Sequence, residues 1–169
     1  MYQATGKLIY DPRTEVSRFD AWWLALEVND SIAHYYRHRV DATLGVKLNR
    51  PLWRAHVTVI RGERPARFRE ALWKKYHGYS VQIAYSPDIQ LSPKYAWLPV
   101  KSQELEDIRE ELGLPRQPRV PFHLTVGNTK NRAQSAAAAA PPFRVFPWED
   151  AAIVDKLWRK PAARPTHGR

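Results

Sequence analysis

One short pattern occurs twice in this chain and constrains its fold more than any other feature. A Leu-Gly pair at residues 44–45 precedes HVTV at residues 56–59, and a second pair at 112–113 precedes HLTV at 123–126. The Gly-to-His offsets are 56 − 45 = 11 and 123 − 113 = 10. Glycine after leucine is a typical helix end, and β-branched residues favour strands. Each copy therefore predicts a helix that ends at Leu-Gly, followed by a strand that carries His-x-Thr.

The spacing within each strand segregates polar from aliphatic side chains. Residues i and i+2 of a strand point to the same face, about 6.5–7 Å apart. His56 and Thr58 therefore share one face, as do His123 and Thr125, while the aliphatic residues of both motifs face the other way. If the two copies pack around a pseudo-twofold axis, both polar pairs line one cleft.

Two imidazoles in one cleft are suited to acid–base catalysis on a phosphodiester. The neutral ring removes a proton from the attacking hydroxyl, and the protonated ring gives one to the departing oxygen. Histidine fits both tasks because its ordinary pKa is about 6.5. Hydroxyls of Thr58 and Thr125 can donate to the non-bridging phosphate oxygens. The scheme requires no metal, and we predict none.

Elsewhere the sequence predicts an α+β protein. Hydrophobic spacing and stop signals place strands at 5–10, 22–28, 53–61, 81–85, 96–100 and 122–126, and helices at about 31–44, 65–78 and 102–112. We expect one domain over 1–158, with two pseudo-symmetric lobes of antiparallel β-sheet, outer helices and a central cleft. The lobes are roughly 31–100 and 101–130 plus terminal strands. The basic, Pro-rich tail 159–169 is expected to be disordered.

Charge and composition narrow the class of partner. Lys plus Arg number 27 against 17 Asp plus Glu, a formal charge of +10, which attracts polyanions such as nucleic acids and nucleotides. The absence of cysteine excludes disulfide scaffolds, thiolate metal sites and cysteine nucleophiles. No apolar run approaches the ~18 residues that a membrane span needs, and no secretory signal is recognised at the N-terminus.

Paired His-x-Thr strands on a duplicated chain of this size resemble the 2H phosphoesterase superfamily. The resemblance covers about residues 5–126. Within that range, only the two His-x-Thr motifs are specific to the superfamily. Within the superfamily, the chain is most similar to the phage anti-CBASS phosphodiesterase branch. The points of likeness are its short length, the early G-K-L-x-Y-D strand (residues 6–11) and the Trp- and Glu-bearing C-terminal segment.

The resemblance implies a function and a setting. The proteins of that branch cut cyclic oligonucleotide second messengers that trigger bacterial anti-phage defence. The implied reaction is attack by a ribose 2′-hydroxyl on the neighbouring 3′–5′ phosphate, then hydrolysis of the cyclic phosphate. The expected partner is a cyclic di- or trinucleotide, with no cofactor, in the infected cell's cytoplasm. Two alternatives stay open: an RNA-end 2′,3′-cyclic phosphodiesterase or 2′-5′ RNA ligase-like enzyme, and a non-catalytic nucleotide or RNA binding module.

Candidate binding residues complete the prediction. Arg54 shares the strand face of His56 by parity, so it is the first candidate for phosphate contact. The other candidates in the predicted substrate site are Lys7, Tyr10, Trp148, Glu149 and Trp158. Further aromatic residues that are candidates for base stacking, with core packing as their default role, are Trp53, Tyr85 and Trp97. His34 and His38 are four apart on a predicted helix, but no third ligand is evident, so we interpret them as surface or partly buried residues.

Overall fold

A computed structural model describes residues 1–12, 21–51 and 53–129 of the chain. Predictions for Trp148, Glu149, Trp158 and the basic tail lie outside the described residues. All statements below concern the described part.

The described residues form a mixed α+β fold in which one antiparallel sheet dominates. Its elements, in chain order, are β1 (Tyr2–Tyr10), β2 (Trp23–Glu27), α1 (Asp30–Leu44), β3 (His56–Arg61), a 3₁₀ helix (Arg67–Leu72), β4 (Ser80–Tyr85), β5 (Gln90–Leu91), β6 (Tyr95–Lys101), α2 (Gln103–Glu111) and β7 (His123–Asn128). The seven strands are ordered β4-β1-β2-β3-β7-β6-β5, and a further β4–β6 pairing closes the sheet on itself like a barrel. The α+β class is thus confirmed.

Both α-helices begin and end where the sequence predicts. The side chain of Asn29 accepts a hydrogen bond from the Ser31 amide at the start of α1, and Ser102 accepts one from the Leu105 amide at the start of α2. Gly45 and Gly113 follow the two helices with φ of 64° and 75°. Glycine adopts this left-handed conformation at no steric cost, which explains the repeated Leu-Gly pattern.

One prediction of local structure is wrong. The helix expected over 65–78 is only the six-residue 3₁₀ helix, because the backbone leaves the helical path at Trp73, whose ψ is 134°, and at Lys74, whose φ is 71°. Phe68, which lies in this helix, is 82% exposed. Between the strands predicted at 81–85 and 96–100, the sequence indicates a loop or irregular hairpin, and the structure has a hairpin there: the short strand β5 pairs antiparallel with β6, with Gln90 opposite Trp97. Two residues are too few for a sequence pattern to reveal.

The chain repeats a β-α-β unit, β2-α1-β3 and then β6-α2-β7. The first unit pairs Glu27 with His56, and the second pairs Pro99 with His123. Both pairs of strands then shift register at the same position, between residues 24 and 25 in one and between 96 and 97 in the other. The duplication seen in the sequence therefore extends to a matching β-bulge in each unit.

A buried arginine holds α2 against the motif strand β3. Arg109 is 0% exposed, and its guanidinium donates to both carboxylate oxygens of Glu63, at 2.9 and 2.8 Å. The same guanidinium donates to the Val59 carbonyl at 2.7 Å and the Pro115 carbonyl at 2.8 Å. A buried cation with this many acceptors fixes the position of β3 relative to the helix behind it.

Candidate active site

The two motif strands are neighbours at the centre of the sheet. β3 and β7 pair antiparallel, with Val57 opposite Leu124. That register sets His56 across from Thr125, and Thr58 across from His123. The two histidines are then diagonal neighbours, whose Cα atoms lie about 7–8 Å apart in such a pair. The fold brings together all four residues that the repeat singled out.

Burial follows the alternation expected from the motifs. Val57, Val59, Leu124 and Val126 are at most 1% exposed and belong to the main hydrophobic core. The histidines and threonines between them are only partly buried. The aliphatic side chains anchor both strands, and the imidazoles and hydroxyls lie together on the other face.

Both imidazoles are held in the same way. His56 Nδ1 lies 2.7 Å from the Arg54 carbonyl oxygen, and His123 Nδ1 lies 2.8 Å from the Pro121 carbonyl oxygen. A carbonyl oxygen only accepts, so each Nδ1 carries the hydrogen and donates. Nε2 is then the proton-accepting nitrogen of each neutral ring. In both units of the repeat, Nε2 is thus the nitrogen that can accept a proton.

Burial favours the neutral form of both rings. It is the largest effect that lowers the pKa of His56, and it is partly opposed by the hydrogen bond to the Arg54 carbonyl. The nearby His123 and Arg61 lower the His56 pKa further. The pKa of His123 is also lowered by burial, opposed by its bond to the Pro121 carbonyl. A bound phosphate would favour protonation, because an opposite charge stabilises imidazolium.

Charged side chains border His56. Glu27 pairs directly with His56 across β2 and β3, and its Oε1 lies 2.6 Å from Arg54 Nη1. Lys7 pairs with Glu27 from the next strand and is exposed. The structure therefore places Arg54 and Lys7 on the histidine side of the sheet. Sequence analysis missed Glu27, although the alternation Trp23, Ala25, Glu27 was a signal that it shares a face.

Tyr10 is not brought to the histidines. It lies three residues from Lys7 on β1, so its side chain points to the opposite face, where it is 4% exposed. Its ring packs edge-on against Trp73 at 4.8 Å, and burial raises its pKa to about 12. Tyr10 is a core residue in this structure, because odd spacing along a strand reverses the face. Tyr85 packs near Tyr2 and Tyr36 instead.

Tryptophans lie beside both histidines. The Trp53 ring centroid is 4.7 Å from that of His56, and Trp23 lies 5.5 Å from Trp53 and 6.1 Å from His56. On the other side, the Trp97 centroid is 6.5 Å from that of His123. Trp53 and Trp97 are partly exposed, whereas Trp23 is buried. Sequence analysis did not single out Trp23, because WWLALEV reads as a uniformly buried strand.

Neither a metal-binding cluster nor a membrane-spanning helix occurs in the described part of the chain. No group of three or more His, Asp or Glu side chains there is placed to hold a metal ion, and His34 and His38 are exposed on α1. No helix there is both long and apolar enough to cross a membrane.

Comparisons of the chain with protein-family models, curated proteins and solved structures find no match. The 2H resemblance therefore remains a prediction that depends on the two motifs.

Proposed function

We propose that this protein is a metal-independent phosphodiesterase of the 2H type that cleaves 3′–5′ bonds of cyclic oligonucleotide second messengers. The observation that carries the proposal is the β3–β7 pairing. It gathers two imidazoles and two hydroxyls on one face, each histidine across from the other strand's threonine. The repeated β-α-β unit supports a two-lobed arrangement around a central cleft, as in the superfamily that the motifs resemble.

In the first step, one neutral imidazole accepts the proton of a ribose 2′-hydroxyl at Nε2. The 2′-oxygen forms a bond to the adjacent phosphorus, and the bond from phosphorus to the 5′-oxygen breaks. The second imidazole, protonated, donates its Nε2 proton to that oxygen. The products are a 2′,3′-cyclic phosphate and a free 5′-hydroxyl, so protons and charge balance. Each proton transfer contributes about 10²–10⁴ in rate.

In the second step, water replaces the 2′-hydroxyl as the nucleophile. The imidazole that is now neutral removes a proton from water, and the one that is now protonated gives its proton to the departing ribose oxygen. The cyclic phosphate opens to a phosphomonoester, and both rings return to their starting protonation states. The hydroxyls of Thr58 and Thr125 donate to the non-bridging oxygens, where negative charge grows in each transition state.

Two features, one of the site and one of the whole chain, support an anionic nucleotide substrate. Lys7 and Arg54 lie on the histidine side of the sheet, and the whole chain carries a formal charge of +10. We propose the cyclic oligonucleotides of anti-phage signalling, and hence an anti-CBASS role in the infected cell's cytoplasm, from the likeness of the chain to the phage branch.

The test is chromatography of 3′,3′-cyclic GMP-AMP after incubation with the full chain in excess EDTA. His56→Ala and His123→Ala are run in parallel, and Phe68→Ala, which alters an exposed ring outside the site, is the matched control. We expect wild type and the control to linearise the ligand, and each histidine variant to remain folded but lose about 10²–10⁴ in kcat.

Other outcomes would contradict parts of the proposal. An intact cyclic ligand combined with turnover of a 2′,3′-cyclic-phosphate oligonucleotide would favour the RNA-end enzyme. Binding without turnover of either substrate would favour the non-catalytic module. Turnover that EDTA abolishes would overturn the metal-independent mechanism.

A further inference from the structure

Tryptophan side chains lie on both flanks of the histidine pair, and the proposed chemistry does not use them. The sheet order β2-β3-β7-β6 puts the motif strands in the middle. Trp23 lies on β2 and packs against Trp53, while Trp97 lies on β6 opposite Thr125. At about 4.8 Å per strand, the backbones of β2 and β6 are about 14 Å apart. The two imidazoles lie on the strands between them.

The first flank is built on a buried support. Trp23 is 4% exposed, and the Trp53 ring meets it at 5.5 Å and 61°. The guanidinium of Arg61 lies 4.8 Å above the Trp23 ring. Trp53 itself is partly exposed and lies 4.7 Å from the His56 ring. Because Trp23 is buried, it supports the Trp53 ring that packs against it. Trp53 is therefore a rigid aromatic surface next to one of the two imidazoles.

The second flank is the counterpart beside the other imidazole. Trp97 pairs with Thr125 on one side and with Gln90 on the other, so all three share the site face. Its ring is partly exposed, 6.5 Å from the His123 ring. A core role alone would not require large rings at two partly exposed positions on the polar face of the sheet.

We infer that Trp53 and Trp97 are two base-stacking subsites, one on each side of the scissile phosphate, so that the enzyme recognises a phosphodiester flanked by two nucleosides. This inference rests on the proposed function and names its substrate class. Every base has a π-face, so stacking supplies affinity without strong base preference. A ligand with one base would fill only one subsite and bind more weakly.

Calorimetry with a form of 3′,3′-cyclic GMP-AMP that lacks both 2′-hydroxyls tests the inference on the full chain. This probe lacks the attacking hydroxyl, so binding is measured without turnover. We expect Trp53→Ala and Trp97→Ala each to raise Kd roughly 5- to 150-fold, the equivalent of one stacked base. Trp53→Phe and Trp97→Phe should stay within a few-fold of wild type, and Phe68→Ala should be unchanged.

Kinetics on the natural ribonucleotide separates binding from positioning. Loss of kcat with unchanged Kd in the alanine variants would mean that the tryptophans only hold the imidazoles, and would overturn the inference. Unchanged Kd with unchanged kcat would overturn it as well. Trp-dependent binding without any turnover by wild type would contradict the proposed enzyme and leave the two-base site standing. Turnover by wild type, combined with binding that does not depend on Trp53 or Trp97, would support the proposed enzyme and overturn the two-base site.

Discussion

At the scale of single residues, each motif threonine lies directly across the strand pair from the other motif's histidine. If the hydroxyls donate to the phosphate, Thr58→Val and Thr125→Val should each lower kcat about 10²–10³-fold, because valine keeps the shape and strand preference but removes the donor. Steady-state kinetics on 3′,3′-cyclic GMP-AMP measures the effect.

Serine supplies the matched control for this prediction. Thr58→Ser and Thr125→Ser keep the hydroxyl and should retain most of the activity. Loss of activity in the serine variants together with retained activity in the valine variants would mean that the methyl group matters and the hydroxyl does not.

The lowered pKa values of His56 and His123 predict a pH dependence of stability. In the unfolded chain both rings titrate near pH 6.5, whereas in the folded protein they titrate at lower pH. Between these values the unfolded state binds more protons, so the free energy of unfolding rises with pH there. The melting temperature should therefore fall as the pH is lowered from about 6.5 through the folded-state pKa values.

A double variant isolates the contribution of these two rings from that of the other histidines. In His56→Gln/His123→Gln, the melting temperature should depend less on pH between 7 and 5 than in wild type. Identical slopes in the two proteins would contradict the burial of the two imidazoles.

At the scale of elements, the two repeat units end their helices alike but in different surroundings. A Cβ at Gly45 would meet nothing within 4 Å, whereas a Cβ at Gly113 would lie 2.6 Å from the Ala66 Cβ. Gly45→Ala should cost about 1–2 kcal/mol of unfolding free energy from the left-handed backbone alone. Gly113→Ala should cost about 1–3 kcal/mol more from the clash.

Urea denaturation of the two variants gives the comparison directly. The pair is matched, because both glycines follow equivalent helices with positive φ. Equal losses of stability would show that the contact between Gly113 and Ala66 relaxes without cost.

At the scale of the whole molecule, the chain has a formal charge of +10, so binding of an anionic ligand should depend on salt concentration. The size of that dependence distinguishes a small cyclic ligand from a long RNA. Single-stranded nucleic acid releases about 0.7 counterion per neutralised phosphate. A cyclic dinucleotide should therefore give a log–log slope of Kd against salt no steeper than about 1.4. Calorimetry of the 2′-deoxy cyclic dinucleotide at several salt concentrations measures this slope. If an RNA oligomer binds more tightly and gives a much steeper slope, RNA is favoured as the substrate.

Much of the fold was predictable from local pattern. The caps at Asn29 and Ser102, the Leu-Gly helix ends and the six longer strands follow from the chemistry of a few neighbouring residues. The 3₁₀ helix after Pro65 and the strand β5 were not predictable, because a single positive φ at Lys74 and a two-residue pairing leave no periodic signal.

The candidate site divides in the same way. Sequence alone determined the two His-x-Thr strands and the face that each motif shows, since alternation along a strand is a local property. Only the tertiary structure decided that β3 and β7 are neighbours in the register that puts each histidine across from a threonine. It also decided that Tyr10 belongs to the core and that Glu27, Trp23, Trp53 and Trp97 border the imidazoles. These placements depend on contacts between residues far apart in the chain, which are set by how the sheet packs and not by any local pattern.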